Sequence, residues 1–279
     1  MSDGVRIRRL GVGDLCDVVA LAARLNWNDE ERRYSLLLQV SDVYGLDDLD
    51  GGGLIGTVTL TRFQPAFATV GMMLVDPAHG GRGHGRTLMG HVLGVAGDAT
   101  VALFATAAGR PLYEKVGFVA LGLDHSHRGR YSGDPTGMSE PTTDADLDAI
   151  IELDRAVTGC DRSALLRAYA PFAEQVRVAR RDDGSVSGYA GMWRHGDLGV
   201  IGPVVAADTD EAIVLASDLA ANAGGEVRID VGEDRAELAA WAEATGLTRA
   251  ATTSLMTLGG RPLPGARDRW FMPLTLALG

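Results

Sequence analysis

Between Val75 and Leu88 the chain reads Val75-Asp76-Pro77-Ala78-His79-Gly80-Gly81-Arg82-Gly83-His84-Gly85-Arg86-Thr87-Leu88. An apolar run ends here, glycines follow, and a helical pattern begins at once. Glycine tolerates positive φ, so the backbone can turn sharply without strain. Such a turn leaves N–H groups unpaired at the positive end of a helix dipole, which makes a cradle for an anion such as a pyrophosphate. Gly81, Gly83 and Gly85 let a bulky diphosphate approach the main chain around His84, and Arg82 and Arg86 can add charge-assisted bonds. A Walker loop would need a Gly-Lys-Ser/Thr ending, which is absent. A dinucleotide fingerprint would need G-x-G-x-x-G at the first strand–helix turn, whereas Gly83-x-Gly85 is followed by Leu88 deep in the chain.

The elements that must hold this loop follow from apolar periodicity. Val5–Leu10 reads as a strand, and Asp14 caps a helix carrying Leu15, Val18, Val19, Ala22 and Leu25. A second helix follows Asn28-Asp29-Glu30-Glu31, with Tyr34, Leu37 and Leu38 on one face. Leu54–Thr61 is a β-branched strand. Phe67–Val75 is apolar without alternation, which predicts a central strand buried on both faces. After the glycine loop come a helix with Leu88, Val92 and Val95 inward, a strand Val101–Ala105, a helix Arg110–Lys115 closed by Gly117, and a strand Phe118–Leu123.

Gly129–Glu140 is rich in turn residues and marks a linker. Beyond it the pattern repeats. Pro141–Leu147 restates the strand and capped helix, Val186–Trp193 the β-branched strand, and Gly199–Val205 the central strand. Gly117 and Gly246, and Pro77 and Pro203, are landmarks at nearly equal separations. They predict an α/β (α+β) chain of two tandem domains, residues 1–135 and 136–279, each a mixed twisted sheet flanked by helices, rather than one long sheet. Trp270–Gly279 reads as a final strand.

Asp76-Pro77 with Gly81-Arg82-Gly83-x-Gly85-Arg86 after a buried strand resembles the coenzyme A signature of the GNAT superfamily of N-acetyltransferases. Pro111-Leu112-Tyr113-Glu114-Lys115-Val116-Gly117-Phe118 is similar to a second stretch of that superfamily. The two span Phe67–Phe118. The resemblance implies acetyl-coenzyme A as acyl donor, bound without a metal. Met73, Leu74 and Val75 would present main-chain groups to the pantetheine and thioester, Gly81–Arg86 would hold the pyrophosphate, and Tyr113 would protonate the departing thiolate. A phenol titrating near ~10 suits that task. Thr106 stands where many members carry Asn and can still donate its hydroxyl proton. Trp27 and Asn28 stand where such enzymes place the acceptor, a small-molecule or peptide amine. Gly80 replaces a frequent Gln or Arg. Val101 replaces an acid that some members use as base, which leaves His79, His125, His127, Asp76 or a water chain for that role. The resemblance implies direct attack in a ternary complex; a longer acyl donor, or a non-catalytic acyl-coenzyme A sensor, are the alternatives.

The second half lacks these features. Ala207-Asp208-Thr209-Asp210-Glu211 stands where the glycines were and Ala242 where Tyr113 was, so the half resembles the degenerate partner of tandem GNAT proteins. Acids at a helix start satisfy its N–H groups internally and repel a diphosphate. The half is expected to wall off the acceptor pocket or to act as a dimer-like partner, and a homodimer stays open. Over the whole chain of 279 residues the formal charge is −11, which disfavours nucleic acid and anionic membrane partners. Apolar residues make up 46%, enough for a packed core. No apolar run reaches the ~18–20 residues of a membrane span. Two isolated cysteines, Cys16 and Cys160, suit a reducing cytoplasm and form no metal knuckle.

Overall fold

The unbroken apolar run Phe67–Val75 is a strand with helices against both of its faces, as its lack of alternation requires. The computed structural model describes residues 4–28, 30–51 and 53–279; Met1, Ser2, Asp3, Asp29 and Gly52 lie outside the described residues. The first half runs β1 (Val5–Arg9), α1 (Leu15–Arg24), α2 (Glu31–Val40), β2 (Asp42–Asp48), β3 (Gly53–Phe63), β4 (Phe67–Val75), α3 (His84–Ala96), β5 (Thr100–Ala105), α4 (Arg110–Lys115) and β6 (Phe118–Arg130). The second repeats that order with β7 (Glu140–Pro141), α5 (Leu147–Thr158), α6 (Ser163–Phe172), β8 (Gln175–Arg180), β9 (Val186–His195), β10 (Leu198–Val205), α7 (Thr209–Ala221), β11 (Glu226–Gly232), α8 (Ala236–Ala244) and β12 (Thr248–Leu258). A short β13 (Trp270–Met272) then pairs with β10.

Duplication is visible, but the expectation of two halves without a long sheet is corrected. All strands join one mixed sheet in the order β1-β2-β3-β4-β5-β12-β6-β11-β10-β9-β8-β7, with β13 beside β10. The last strand of each half is exchanged: β12 inserts between β5 and β6, and β6 between β12 and β11. Each of these strands takes both of its ladders from strands outside its own half or from the other exchanged strand, so neither half closes its hydrogen bonding alone. Pro203 is also not the counterpart of Pro77. Pro77 follows β4 in a short 3₁₀ turn, whereas Pro203 lies inside β10 at a register shift between Ile201 and Val204. Gly117 and Gly246 do correspond. Both take left-handed φ, 97° and 92°, just ahead of the exchanged strands.

The sheet divides the helices into two layers. Helices α1, α2 and α6 share a core with Phe67, Met72, Leu74 and Ala102 on one face. Helices α3 and α4 cover Ala68, Val70, Val101 and Leu103 on the other. Helices α7 and α8 continue that second layer over Val227, Ile229 and Val231. Beyond β13 the chain does not continue as the expected strand through Gly279. Residues 273–279 fold across β4 instead, with Leu274 and Leu278 fully buried. Gly71 permits the crossing, because a Cβ there would lie 2.7 Å from Ala277 Cα. No helix among the described residues is long and apolar enough to cross a membrane.

Candidate active site

Strands β4 and β5 pair in parallel only through Phe67–Thr100, Ala68–Val101 and Thr69–Ala102, and separate beyond that point. At the same level β4 carries a bulge centred on Met72, whose φ is 46°. Past the bulge, Leu74 pairs with Thr57 of β3, and the Asp76 N–H donates to the Ile55 carbonyl at 2.8 Å. Since alternate residues of a strand bond to opposite neighbours, the peptide groups of Met73 and Val75 turn away from β3 toward the gap that β5 leaves. The bulge is pinned from behind. Thr57 Oγ1 donates to the Met72 carbonyl at 3.0 Å, and the buried Tyr34 hydroxyl lies 3.2 Å from Thr57 Oγ1.

The glycine loop stands at the open end of this gap. Asp76 Oδ1 accepts the Ala78 N–H at 2.9 Å, while its Oδ2 meets Arg24 of α1 at 3.0 Å, so the loop is tied to the opposite helix layer. Asp76 is thereby committed to structure rather than free as a base. Gly81 and Gly83 take φ of 75° and 86°, and helix α3 starts at His84 with Gly83 at its N-cap and no capping side chain. Among the described residues, none of the successive amides from Gly81 to Arg86 finds an acceptor; the first bond of the helix is Thr87 N–H to the Gly83 carbonyl at 3.0 Å. A Cβ on Gly81 or Gly83 would meet nothing, so the dihedral angle alone demands glycine there. Gly85 is different: its Cβ would lie 3.0 Å from Leu112 of α4, so the bare backbone also lets the helices approach. Arg82 and Arg86 are exposed and form no ion pair among the described residues. His84 is buried at the helix start.

Helix α4 brings Tyr113 to the same layer. Its ring packs edge-on to Phe118 with centroids 6.1 Å apart, and burial pushes its hydroxyl up to about 12. That hydroxyl makes no hydrogen bond among the described residues. Thr106 closes the turn before α4: its Oγ1 accepts the Gly109 N–H at 3.2 Å, which leaves its own proton to donate. Trp27 and Asn28 lie between α1 and α2, on the other face of the sheet from Tyr113. Trp27 is exposed beneath the Arg33 guanidinium, 5.9 Å from its ring, and the Asn28 carbonyl meets His195 Nε2 at 2.9 Å. The structure thus puts the glycine loop and Tyr113 in one layer and Trp27–Asn28 in the other, with the β4–β5 gap between the layers. The histidines considered as bases point elsewhere. His127 is buried toward Glu243 of α8, and His125 on the same face meets Thr252 at 3.1 Å. His79 faces Asp48 at 3.6 Å.

The counterpart loop of the second half is filled from within. Asp208 caps α7 by accepting the Glu211 N–H at 2.9 Å, and Glu211 accepts the Ala207 N–H at 2.9 Å and the Ser187 hydroxyl at 2.6 Å. Two amides at the start of α7 thus find side-chain acceptors, whereas among the described residues none does so at α3. At the position of Tyr113, Ala242 is fully buried.

One acidic group escaped the residue-by-residue reading. Asp124 on β6 pairs laterally with Thr253 on β12 and Gly232 on β11. It belongs to the α1/α2 face, since Leu255, two residues from Thr253, pairs with Phe104, and Phe104 alternates with Leu103 and Ala105 of the α3/α4 layer. Asp230 and Arg228 of β11 lie on this face too. The signal was available as a period-two polar pattern, Asp124-x-Ser126-x-Arg128 against Arg228-x-Asp230-x-Gly232.

Comparison with known proteins agrees with this geometry. Profiles described as acetyltransferase (GNAT) domains match residues 41–120 and 150–272. YitH of Bacillus subtilis (strain 168), an uncharacterized N-acetyltransferase, is 29% identical over 231 residues, covering 79% of this chain and 80% of that protein. A crystal structure from Pyrococcus horikoshii, ascribed to an acetyltransferase, superposes with a TM-score of 0.86 at 20% identity over 100% of this chain and 97% of the other. A tandem GNAT protein from the clavulanic acid biosynthesis pathway superposes at 0.64 with 17% identity, over 92% and 99% of the two chains. Two matched GNAT domains joined in one continuous sheet make this chain a tandem GNAT-type N-acetyltransferase.

Proposed function

We propose that the first half, residues 1–135, transfers the acetyl group of acetyl-coenzyme A to an amine within a ternary complex, while the second half, residues 136–279, binds no coenzyme A and walls the acceptor side. The observation that carries this reading is the run of unpaired amides from Gly81 to Arg86 beside the β4–β5 gap. Their positive potential suits a pyrophosphate, with Arg82 and Arg86 free to close on it. Met73 and Val75 offer main-chain groups to the pantetheine and the thioester oxygen, and Leu74 holds the strand to β3. Thr106 donates its hydroxyl at the end of β5.

The acceptor approaches from the α1/α2 face, past Trp27 and Asn28. Its nitrogen lone pair attacks the thioester carbon, the C–S bond breaks, and the thiolate takes the proton of Tyr113. A phenol at about 12 stays protonated until that thiolate forms, which is what an acid for a late-forming base requires. The amine proton passes to water, since Val101 is fully buried in the α3/α4 layer and supplies no base. Holding donor and acceptor on opposite sides of one gap supplies much of the rate. Residues 273–279, packed on Gly71 beside the gap, favour a short acyl group over a long one.

Calorimetric titration with coenzyme A, followed by thiol release from acetyl-coenzyme A over a panel of amines, tests this. Binding together with release on at least one amine is expected. Binding without release on any amine would favour an acyl-coenzyme A sensor, and no heat with coenzyme A would refute the reading at its root.

A further inference from the structure

Asp124 is 6% exposed, and its Oδ1 has no hydrogen-bond partner among the described residues. An unpaired buried carboxylate oxygen is costly and calls for a donor. The residues around it do not supply one. Gly232, its lateral neighbour on β11, lacks a side chain, and Asp234 Oδ1 lies 2.6 Å from where its Cβ would be. Gly122, two residues before Asp124, is likewise overhung by Glu233 Oε1, 3.3 Å from the site of a Cβ. Asp230 is already engaged by Arg228 at 2.9 and 3.0 Å and by the Ser126 hydroxyl. Asp124, Asp230, Glu233 and Asp234 thus outnumber their guanidinium partners, Arg228 and an Arg235 that lies 3.6 Å from Asp234. Burial, with Asp230 next, raises Asp124 to about 7, so the cluster on its own relieves its charge by holding a proton. A bound cation would do the same and would also bring donors to the bare oxygen.

The location says which cation. Helices α4 and α8 pack on β6 from the other face. On the face of Asp124, the floor toward the β4–β5 gap is formed by Leu255 and Phe104, residues that also line a small cavity of about 20 Å³. Two strand spacings separate β6 from β5, roughly 10 Å, too far for Asp124 to take a proton from an amine in the gap. No three metal-ligating side chains converge among the described residues, and an ammonium, with three N–H donors on one centre, needs fewer oxygens than a metal ion.

We propose that Asp124, backed by Asp230 and Asp234, binds a second ammonium group of the acceptor, so that the preferred acceptor is a diamine or polyamine with an apolar spacer between its nitrogens. This rests on the acetyl-transfer reading for the first amine. The spacer crosses Phe104 and Leu255, one nitrogen reaches the gap, and the distal ammonium takes the free Oδ1.

Thiol release is compared for octamethylenediamine and octylamine, which share a reacting amine and differ in the distal charge. A charged hydrogen bond of this kind gives the diamine an advantage of ~10–100-fold in kcat/KM, carried by KM. Asp124→Asn should remove most of that ratio. Asp234→Asn, at a largely exposed side chain whose loss leaves the fold intact, should reduce it by ~2–5-fold. A ratio near one in the wild type, or a ratio that survives Asp124→Asn, would overturn the proposal, as would a loss shared equally by both amines. If no amine is acetylated, the transfer reading fails by itself. Calorimetry of octamethylenediamine against wild type and Asp124→Asn then decides this site, with equal or absent heats refuting it.

Discussion

Replacing Asp124 by Asn keeps the side-chain shape and removes its ionisation, so the variant isolates one electrostatic cost. In the folded chain this carboxyl titrates at about 7 instead of 3.8. The groups facing it are Asp230 and Arg228 from β11, Glu233 and Asp234 beyond that strand, and the neutral Thr253 from β12. Below the ordinary value, folded and unfolded chains both carry the proton, and the site contributes nothing to the pH dependence. As pH rises through the window, the unfolded chain releases the proton while the folded chain retains it. Stability is therefore lost progressively up to about 7, and the full cost is present above it. At ~1.36 kcal/mol per unit, a gap of about three units sets a ceiling of roughly 4 kcal/mol, and relaxation of the exposed Asp234 brings the expectation to roughly 2–4 kcal/mol. Asn escapes this cost. Urea unfolding at intervals from pH 5 to pH 8 should show Asp124→Asn gaining on the wild type as pH rises. An offset from the Asn amide is the same at every pH, so the slope is the test. A difference that stays flat, or that shrinks with rising pH, would refute the charge assignment.

Tyr113→Phe deletes a hydroxyl that makes no hydrogen bond among the described residues, so thermal stability should hold while kcat falls by ~10²-fold or more; thiol release and calorimetry with coenzyme A separate the two effects. Arg82→Ala and Arg86→Ala remove exposed cations that form no ion pair among the described residues, and each should weaken coenzyme A by ~5–10-fold with an unfolding curve like the wild type's. Among the described residues the most heavily buried ion pair lies in the second half. Arg162 donates to both oxygens of Asp154 at 2.7 and 3.0 Å, and Tyr189 donates to the same carboxylate at 2.5 Å. Arg162→Leu strands that carboxylate, and chemical denaturation should register a loss of about 3–5 kcal/mol.

Much of the fold was legible because its signals are local. The continuous apolar stretch of β4, the amphipathic helices and the two left-handed glycines ahead of β6 and β12 each follow from a few neighbouring residues, although Asp14 accepts from Gly11 and does not cap α1. The strand exchange was not legible. Whether β12 lies beside β5 of the other half or closes its own half depends on pairing partners more than a hundred residues away in sequence, and the apolar pattern of β12 suits either sheet. The segment 273–279 misled for a related reason. Its alternating apolar residues read as a strand, yet Gly71 leaves a groove on β4 that buries Leu274 and Leu278 without a ladder.

The candidate site divides along the same line. The cradle could be proposed from composition and order, because glycines, a proline stop and a helix start must be contiguous to make an anion site, whereas Tyr113 came from the resemblance of residues 111–118 to a GNAT stretch. Asp124 could not be read that way. Its meaning comes from Gly232 and Thr253 on two different strands of the other half, which leave Oδ1 bare, and from Asp234, which folds back over the space of a missing Cβ. The strand exchange itself creates this position, since it sets the middle of β6 between two strands of the second half, on the same face as Phe104. On the proposed reading, the second half, whose helix α7 starts with Asp208 and Glu211 accepting its amides, supplies Asp230 and Asp234 to the acceptor side of the first. A duplicated half that has lost its anion cradle keeps a function under this arrangement, and separating the halves should abolish the diamine preference together with the sheet that carries it.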